Sequence, residues 1–189
     1  WINPKSTGFT DNQIVFSKIQ YESSNVKNGF ICFLSGTSNN CYINLKLYVD
    51  QKTFSSKTLI KTDEWQNIVL NVNIDKKISF LINGNPVTND EVISTANEIG
   101  KKSFPLEFKN KNIPLAIGGV FYVSGQNILN TLESYTHFKG YIDEFRMFFK
   151  FRSKSIVRKE MRKNIFAQKG LKLYLRFNEP GGNYTNSCL

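Results

Sequence analysis

Apolar and polar positions alternate most regularly between Trp65 and Val87. Ile68, Leu70, Val72 and Ile74 recur at two-residue spacing, with Asn67, Asn71 and Asn73 on the opposite parity. One side of such a strand is apolar and the other mostly polar. Asp75-Lys76-Lys77 supplies a turn, Ile78, Phe80 and Ile82 resume the alternation, and Asn83-Gly84 ends it with a residue pair that tolerates positive φ. The pattern predicts a hairpin in an antiparallel sheet with one buried face, a binding scaffold rather than a nucleotide-binding α/β enzyme.

The same period runs through much of the chain. A first strand region falls in Phe9 to Tyr21, around Ile14, Phe16 and Ile19. Gly29 to Leu34 is a nearly continuous apolar run, the signature of a strand covered on both faces. From Cys41 to Val49, Ile43, Leu45, Leu47 and Val49 share one side. Tyr42, Asn44, Lys46 and Tyr48 share the other, expected to face solvent or a partner. Thr53 to Ile60 predicts another short strand. Thr88 to Asn112 reads as an insertion, with Asn89-Asp90-Glu91 able to start a brief helix, and Ile113 to Gly119 as a short strand with Pro114 at its edge. Val120 to His137 is long for a passive connection and rich in apolar residues; it either carries function or packs on a sheet edge. A helix is predicted over Ser153 to Gln168, capped by Ser153 or Ser155, striped by Val157, Met161 and Ile165, and stopped by Gly170. A last strand runs from Leu171 to Phe177.

Composition supports one large all-β domain of 189 residues, with 16 Phe and 8 Tyr to fill sheet layers. No apolar run approaches the roughly 20 residues that span a bilayer. The chain opens on Trp1 rather than Met, which predicts a segment of a longer protein, with any signal peptide or membrane anchor outside it. The net charge of +10 comes from 25 Lys and Arg against 15 Asp and Glu. No helix-turn-helix, aromatic RNA-binding run or metal finger accompanies it, so nucleic acid is not an expected partner. A solubilising surface or an acidic or sulfated partner remains. The abundance of Asn, Lys and Ile also matches the codon bias of AT-rich genomes, as in many apicomplexan parasites and some bacteria.

Cys32 and Cys41 flank a Ser-, Gly- and Asn-rich reversal, an arrangement that predicts a disulfide between them in a secreted protein. Cys188 would then be the odd thiol, paired outside the segment. Three ordinary thiols are the alternative. Asn183-Tyr184-Thr185 is an N-glycosylation acceptor sequence. Together these features point to an extracellular, secreted or cell-surface setting.

The order of motifs resembles that of laminin G-like domains in the concanavalin A-like lectin and glucanase superfamily. D-E-W-Q-N-I-V-L-N-V-N-I-D-K-K-I-S-F-L-I-N-G-N-P-V, residues 63 to 87, resembles the family's central hairpin; I-P-L-A-I-G-G, 113 to 119, its following short strand; and F-K-G-Y-I-D-E-F-R-M-F, 138 to 148, its late strand. Ser153 to Ile165 sits where the family places a short helix. G-L-K-L-Y-L-R-F-N-E-P-G-G, 170 to 182, resembles the strand that commonly opens such a domain, yet here it comes last. The resemblance covers 40 to 182 and leaves 1 to 39 poorly matched. It implies a two-sheet antiparallel jelly-roll sandwich with one short C-terminal helix, a single domain over 1-189, in which 170-189 is either the closing strand or the start of a following domain.

Catalysis finds no support in the residue pattern. Retaining glycosidases need two carboxyls about 5 Å apart on one face, whereas Asp143 and Glu144 are adjacent and would point to opposite faces of a regular strand. His137 is the only histidine, without a visible triad partner. Zinc-ligand spacing and a phosphate loop are both missing. No cofactor is expected. Calcium, which some laminin G-like domains bind, would draw on Asp50, Asp63, Asp90 or Asp143, but no cluster selects a ligand set.

The sharpest remaining constellation is cationic. Lys150, Arg152, Lys154, Arg158, Lys159, Arg162 and Lys163 stand against Glu160 alone, and the predicted helix pairs Arg158 with Arg162 and Lys159 with Lys163 along one flank. The expectation is a non-catalytic recognition or adhesion module that binds a cell-surface or secreted protein. Its expected contacts are Tyr42, Tyr48, Tyr122 and Tyr135. One alternative is lectin-like binding of heparin-like sulfated glycans through the basic helix, where arginine forks suit sulfate. Another is a structural spacer in a multidomain surface protein.

Overall fold

The computed structural model describes residues 1–9, 12–22, 25–48, 52–72, 78–87, 92–94, 113–120 and 135–178. Its strands are β1 (Ile2–Pro4), β2 (Gln13–Glu22), β3 (Asn25–Gly36), β4 (Cys41–Leu47), β5 (Lys52–Ile60), β6 (Ile68–Val72) and β7 (Ile78–Ile82). They continue as β8 (Asn85–Pro86), β9 (Val92–Ser94), β10 (Ala116–Ile117), β11 (Thr136–His137), β12 (Gly140–Ile142), β13 (Phe145–Phe148) and β14 (Leu171–Leu175). Among the described residues one helix, α1 (Lys154–Glu160), stands with them. The fold is all-β, with several antiparallel sheets and this short helix.

The largest sheet runs β10-β2-β3-β4-β5-β9, with β11 joined to β2. All its pairings are antiparallel except β11 on β2. A second sheet is β6-β7-β8, and the pairs β1-β12 and β13-β14 complete the set. The expected hairpin is present in full register, from Ile68 opposite Ile82 to Val72 opposite Ile78. Asn83 and Gly84 both take positive φ, 52° and 72°, which turns the chain back into β8. The connection 73–77, and with it Ile74 and the Asp75-Lys76-Lys77 turn, lies outside the described residues.

The main core lies between the large sheet and the hairpin sheet. Leu34, Ile43, Leu45, Leu47 and Ile60 from the first meet Ile78, Phe80, Ile82 and Val87 from the second. A smaller cluster on the other face joins Ile14, Ile31, Phe33, Tyr48 and Val120. The continuous apolar run of β3 therefore serves two clusters, as a doubly covered strand should. The second face of β4 is correspondingly less open than its alternation implies, since Asn44 and Tyr48 are buried.

Four expectations are corrected. The Cys32–Cys41 disulfide is absent, and both thiols are free and buried. The register explains it: Cys41 pairs with Gly36, whereas Cys32 pairs with Leu45. Four residues of strand separate the two, about 13 Å at the usual strand rise, and a disulfide needs Cα atoms within about 7 Å. Burial pushes the Cys32 thiol pKa up and that of Cys41 to about 11, so both sit as inert core groups.

The second correction is the helix, which stops at Glu160 rather than Gln168. Ser153 caps its start, accepting from the Ile156 amide at 3.4 Å. At its end, Arg146 Nη1 donates to the Glu160 carbonyl (2.9 Å), Trp1 Nε1 to that of Met161 (2.8 Å), and Arg146 Nη2 to that of Lys163 (2.6 Å). Side chains from elsewhere in the fold occupy the carbonyls that further helical turns would use. Gly170, at φ 96°, instead leads into β14.

Third, the late strand over 138–148 is broken. Glu144 takes φ 52°, so β12 pairs with β1 while β13 pairs with β14. Fourth, the last strand ends at Leu175 rather than Phe177, where φ is 54°. The helix start expected at Asn89-Asp90-Glu91 and most of the 120–137 connection lie outside the described residues.

Gly36 gives a direct test of the β3–β4 register. It lies opposite Cys41 at φ 117°, and a Cβ there would come within 2.0 Å of the Asn40 carbonyl oxygen. Gly36→Ala should lower stability by about 1–3 kcal/mol, the cost of a strained backbone position. Urea denaturation read by circular dichroism measures it, and an unchanged midpoint would contradict the register.

Candidate functional site

The basic run is placed by two anchors on the hairpin. Asn71, within β6, donates through Nδ2 to the Arg152 carbonyl (2.9 Å) and accepts the Arg152 amide on Oδ1 (3.2 Å). Arg158 donates from Nε to the Gly84 carbonyl at 3.0 Å and from Nη2 to Asn85 Oδ1. Two of the seven cations are therefore structural. The Arg152 guanidinium forms an ion pair with Glu160 and lies over the Phe148 ring, 4.2 Å from its centroid. Arg158 holds α1 against the Asn83-Gly84 turn. Lys150, Lys154, Lys159, Arg162 and Lys163 are exposed. Because the helix ends at Glu160, Arg162 and Lys163 project from the turn beyond it rather than from a helical flank.

Aromatic rings share this exposed stretch. Phe149 is 76% and Phe166 87% exposed, and Phe151 is more than half exposed. The Lys172 ammonium sits 4.7 Å from the Phe149 ring centroid. Glu160 is the only acidic residue between 149 and 172, and Arg152 already neutralises it. Residues 149–172 thus combine unneutralised positive charge with apolar rings open to water. Spacing shows the charge, and Phe80 falls on the apolar face of an alternating strand, but no periodic pattern marks Phe149 and Phe166 as exposed.

The tyrosines fall elsewhere. Tyr42 is partly exposed on β4. Tyr48 is buried, and the Lys46 ammonium lies 4.9 Å from its ring centroid and 5.9 Å from that of Tyr135. Tyr135 packs edge-on against Phe33 at 5.0 Å, and burial pushes its phenol pKa up to about 12. Tyr48 and Tyr135 hold the second cluster together. Tyr122, Asn183 and Cys188 lie outside the described residues.

No candidate calcium centre forms among the described residues, where no group of three or more His, Cys, Asp or Glu converges. Asp63 accepts from the Ser6 amide (3.3 Å) and pairs with Lys5 (3.4 Å); the Ser6 side chain foremost, with Lys5 and the Ser6 amide, holds its carboxyl below the usual range. Asp143 Oδ1 accepts the Glu144 amide at 2.8 Å. Asp50 and Asp90 lie outside the described residues.

The break at Asp143-Glu144 builds an ionic cluster that spacing alone does not reveal. Glu144 pairs with Arg146 at 2.6 Å, accepts from the Tyr174 hydroxyl, and faces Arg176 at 3.9 Å. Burial raises its pKa, but the Tyr174 hydrogen bond and Arg146 outweigh that, leaving it below its ordinary 4.5.

Neither a scan against protein-family models nor a search of curated protein sequences finds a match for this chain.

A carboxylate whose pKa is lowered on folding stabilises the fold above its ordinary pKa, and that contribution disappears as pH falls through the folded-state value. Glu144→Gln should therefore melt below the wild type at pH 7, with the gap narrowing below about pH 4. Thermal melts from pH 7 to pH 3 measure this, and a constant gap would show that the ionised form of Glu144 adds no stability.

Proposed function

We propose that this chain is a non-catalytic recognition module of a secreted or cell-surface protein. In this reading it is a two-sheet jelly roll of the laminin G-like kind that engages an acidic protein surface through residues 149–172. The single observation behind the contact surface is Phe149 and Phe166 standing open to water among exposed Lys150, Lys154, Lys159, Arg162, Lys163 and Lys172. Exposed large rings are unfavourable in water unless a partner covers them, and aromatic side chains anchor protein interfaces. The charge around them favours an acidic counterpart and speeds encounter with it. The order of the sequence motifs supports the sandwich, as does a core drawn from facing sheets.

Sulfated glycan is the second reading, favoured by exposed Lys150, Lys154, Lys159, Arg162 and Lys163, none of which forms an ion pair among the described residues. Its weakness is that the Arg152 and Arg158 forks, the groups best shaped for sulfate, are already occupied within the fold.

Labelled domain bound to cultured cells separates the two. Phe149→Ser/Phe166→Ser should weaken cell binding at least tenfold while leaving retention on heparin unchanged. Lys159→Glu/Arg162→Glu/Lys163→Glu should reduce both. Pretreating the cells with protease should remove binding sites, and heparin lyase should leave them. Loss of binding after lyase alone would replace the protein reading with the glycan reading.

A further inference from the structure

Among the described residues β6 pairs only with β7, and β13 only with β14. Among the described residues no backbone ladder joins the hairpin sheet to the β13-β14 pair, although Asn71 ties the β6 edge to Arg152, four residues beyond Phe148. Behind this seam lies a cavity of about 320 Å³, with Phe16, Phe30 and Leu45 on the large-sheet side and Leu70, Val72 and Met147 on the seam side. Phe16, Phe30, Leu70 and Val72 are only partly buried although they pack against the core cluster, so solvent reaches the apolar walls. Trp1 and Met161 also line it, beside the end of α1.

The polar groups on its lining are few and unevenly satisfied. Glu144 pairs with Arg146 and Glu160 with Arg152, which cancels four charges and leaves Lys150 as the surplus cation. Arg146 spends both terminal nitrogens on Glu144, Glu160 and Lys163, yet its Nε is buried without a hydrogen-bond partner. A buried charged donor without an acceptor is costly. Asn67, also a lining residue, keeps its Oδ1 buried and unpartnered, so both unsatisfied atoms lie behind the cavity wall rather than on it.

We propose that this cavity is a binding site for a medium-chain amphiphile with an anionic, hydrogen-bond-accepting head, of the fatty-acid class. The apolar walls take the chain, and the Lys150 ammonium, the lining cation without a carboxylate partner among the described residues, pairs with the head. Size sets the length: a cavity of about 150 Å³ holds the six carbons of benzene, so about 320 Å³ houses on the order of twelve heavy atoms, the number in decanoate. The site shares Lys150, Arg152, Val157, Glu160 and Met161 with the 149–172 segment, but its apolar walls lie inward of the exposed Phe149 and Phe166 rings, which do not line it.

Isothermal titration of the whole chain with decanoate, below its micelle concentration, tests this. One saturable site per chain is expected, with a thermal shift that grows with ligand concentration. Leu70→Phe, which fills the cavity from a partly buried position, should weaken decanoate at least tenfold while its own melt stays cooperative. Hexadecanoate should bind more weakly than decanoate. An absence of heat with the wild type, equal affinity in the filled variant, or equal affinity for decyltrimethylammonium would each overturn the proposal. The last would remove the anionic head from it.

Discussion

The left-handed backbone at Glu144 governs the whole helical side of the molecule. A regular strand through 138–148 would run straight on beside β1. The reversal at Glu144 instead ends one pairing and begins another, so that β13 lies with β14. A non-glycine residue in that region carries a conformational cost. The Asp143 carboxylate, accepting the Glu144 amide, and the contacts of the Glu144 side chain offset it. From the redirected strand Arg146 reaches the carbonyls of Glu160 and Lys163, which sets where α1 ends. The exposed stretch that follows owes its shape to a backbone turn nearly twenty residues earlier in the chain.

The opposite side is organised by a different constraint. β2 to β5 form a meander whose two faces both need cover, and the hairpin sheet covers one of them. The other receives Val120 and Tyr135 at the two ends of the 120–137 connection. This second cover converts Tyr48 from a candidate contact into a core residue. It also keeps Lys46 beside two rings.

Strand identity was legible wherever one face alone is buried, because period-two alternation records that geometry directly. The 65–87 hairpin and the Asn83-Gly84 turn are the clearest cases. Side-chain chemistry alone did not reveal where a regular pattern is cut short by distant groups. Val157, Met161 and Ile165 keep helical spacing, but donors from Trp1 and Arg146 take the carbonyls first. The cysteine pair misled for a related reason: loop composition predicts a reversal but not the register across it, and here Cys41 meets Gly36. In the basic run, charge was readable from the sequence, whereas the diversion of Arg152 and Arg158 into anchors was not. Nor was the cavity, which depends on two strand edges failing to meet.

Among the described residues, the amide of Asn71 joins β6 to the Arg152 backbone just beyond β13, where no ladder forms. Backbone pairing fixes strand separation at one value, whatever the side chains. A seam closed by a side chain has a width that substitution can reset, by one methylene with Gln or by removal with Ala, while every strand keeps its partners. The interior volume behind that seam is accordingly a heritable variable in this fold, open to change by single codons with no rearrangement of the sheets.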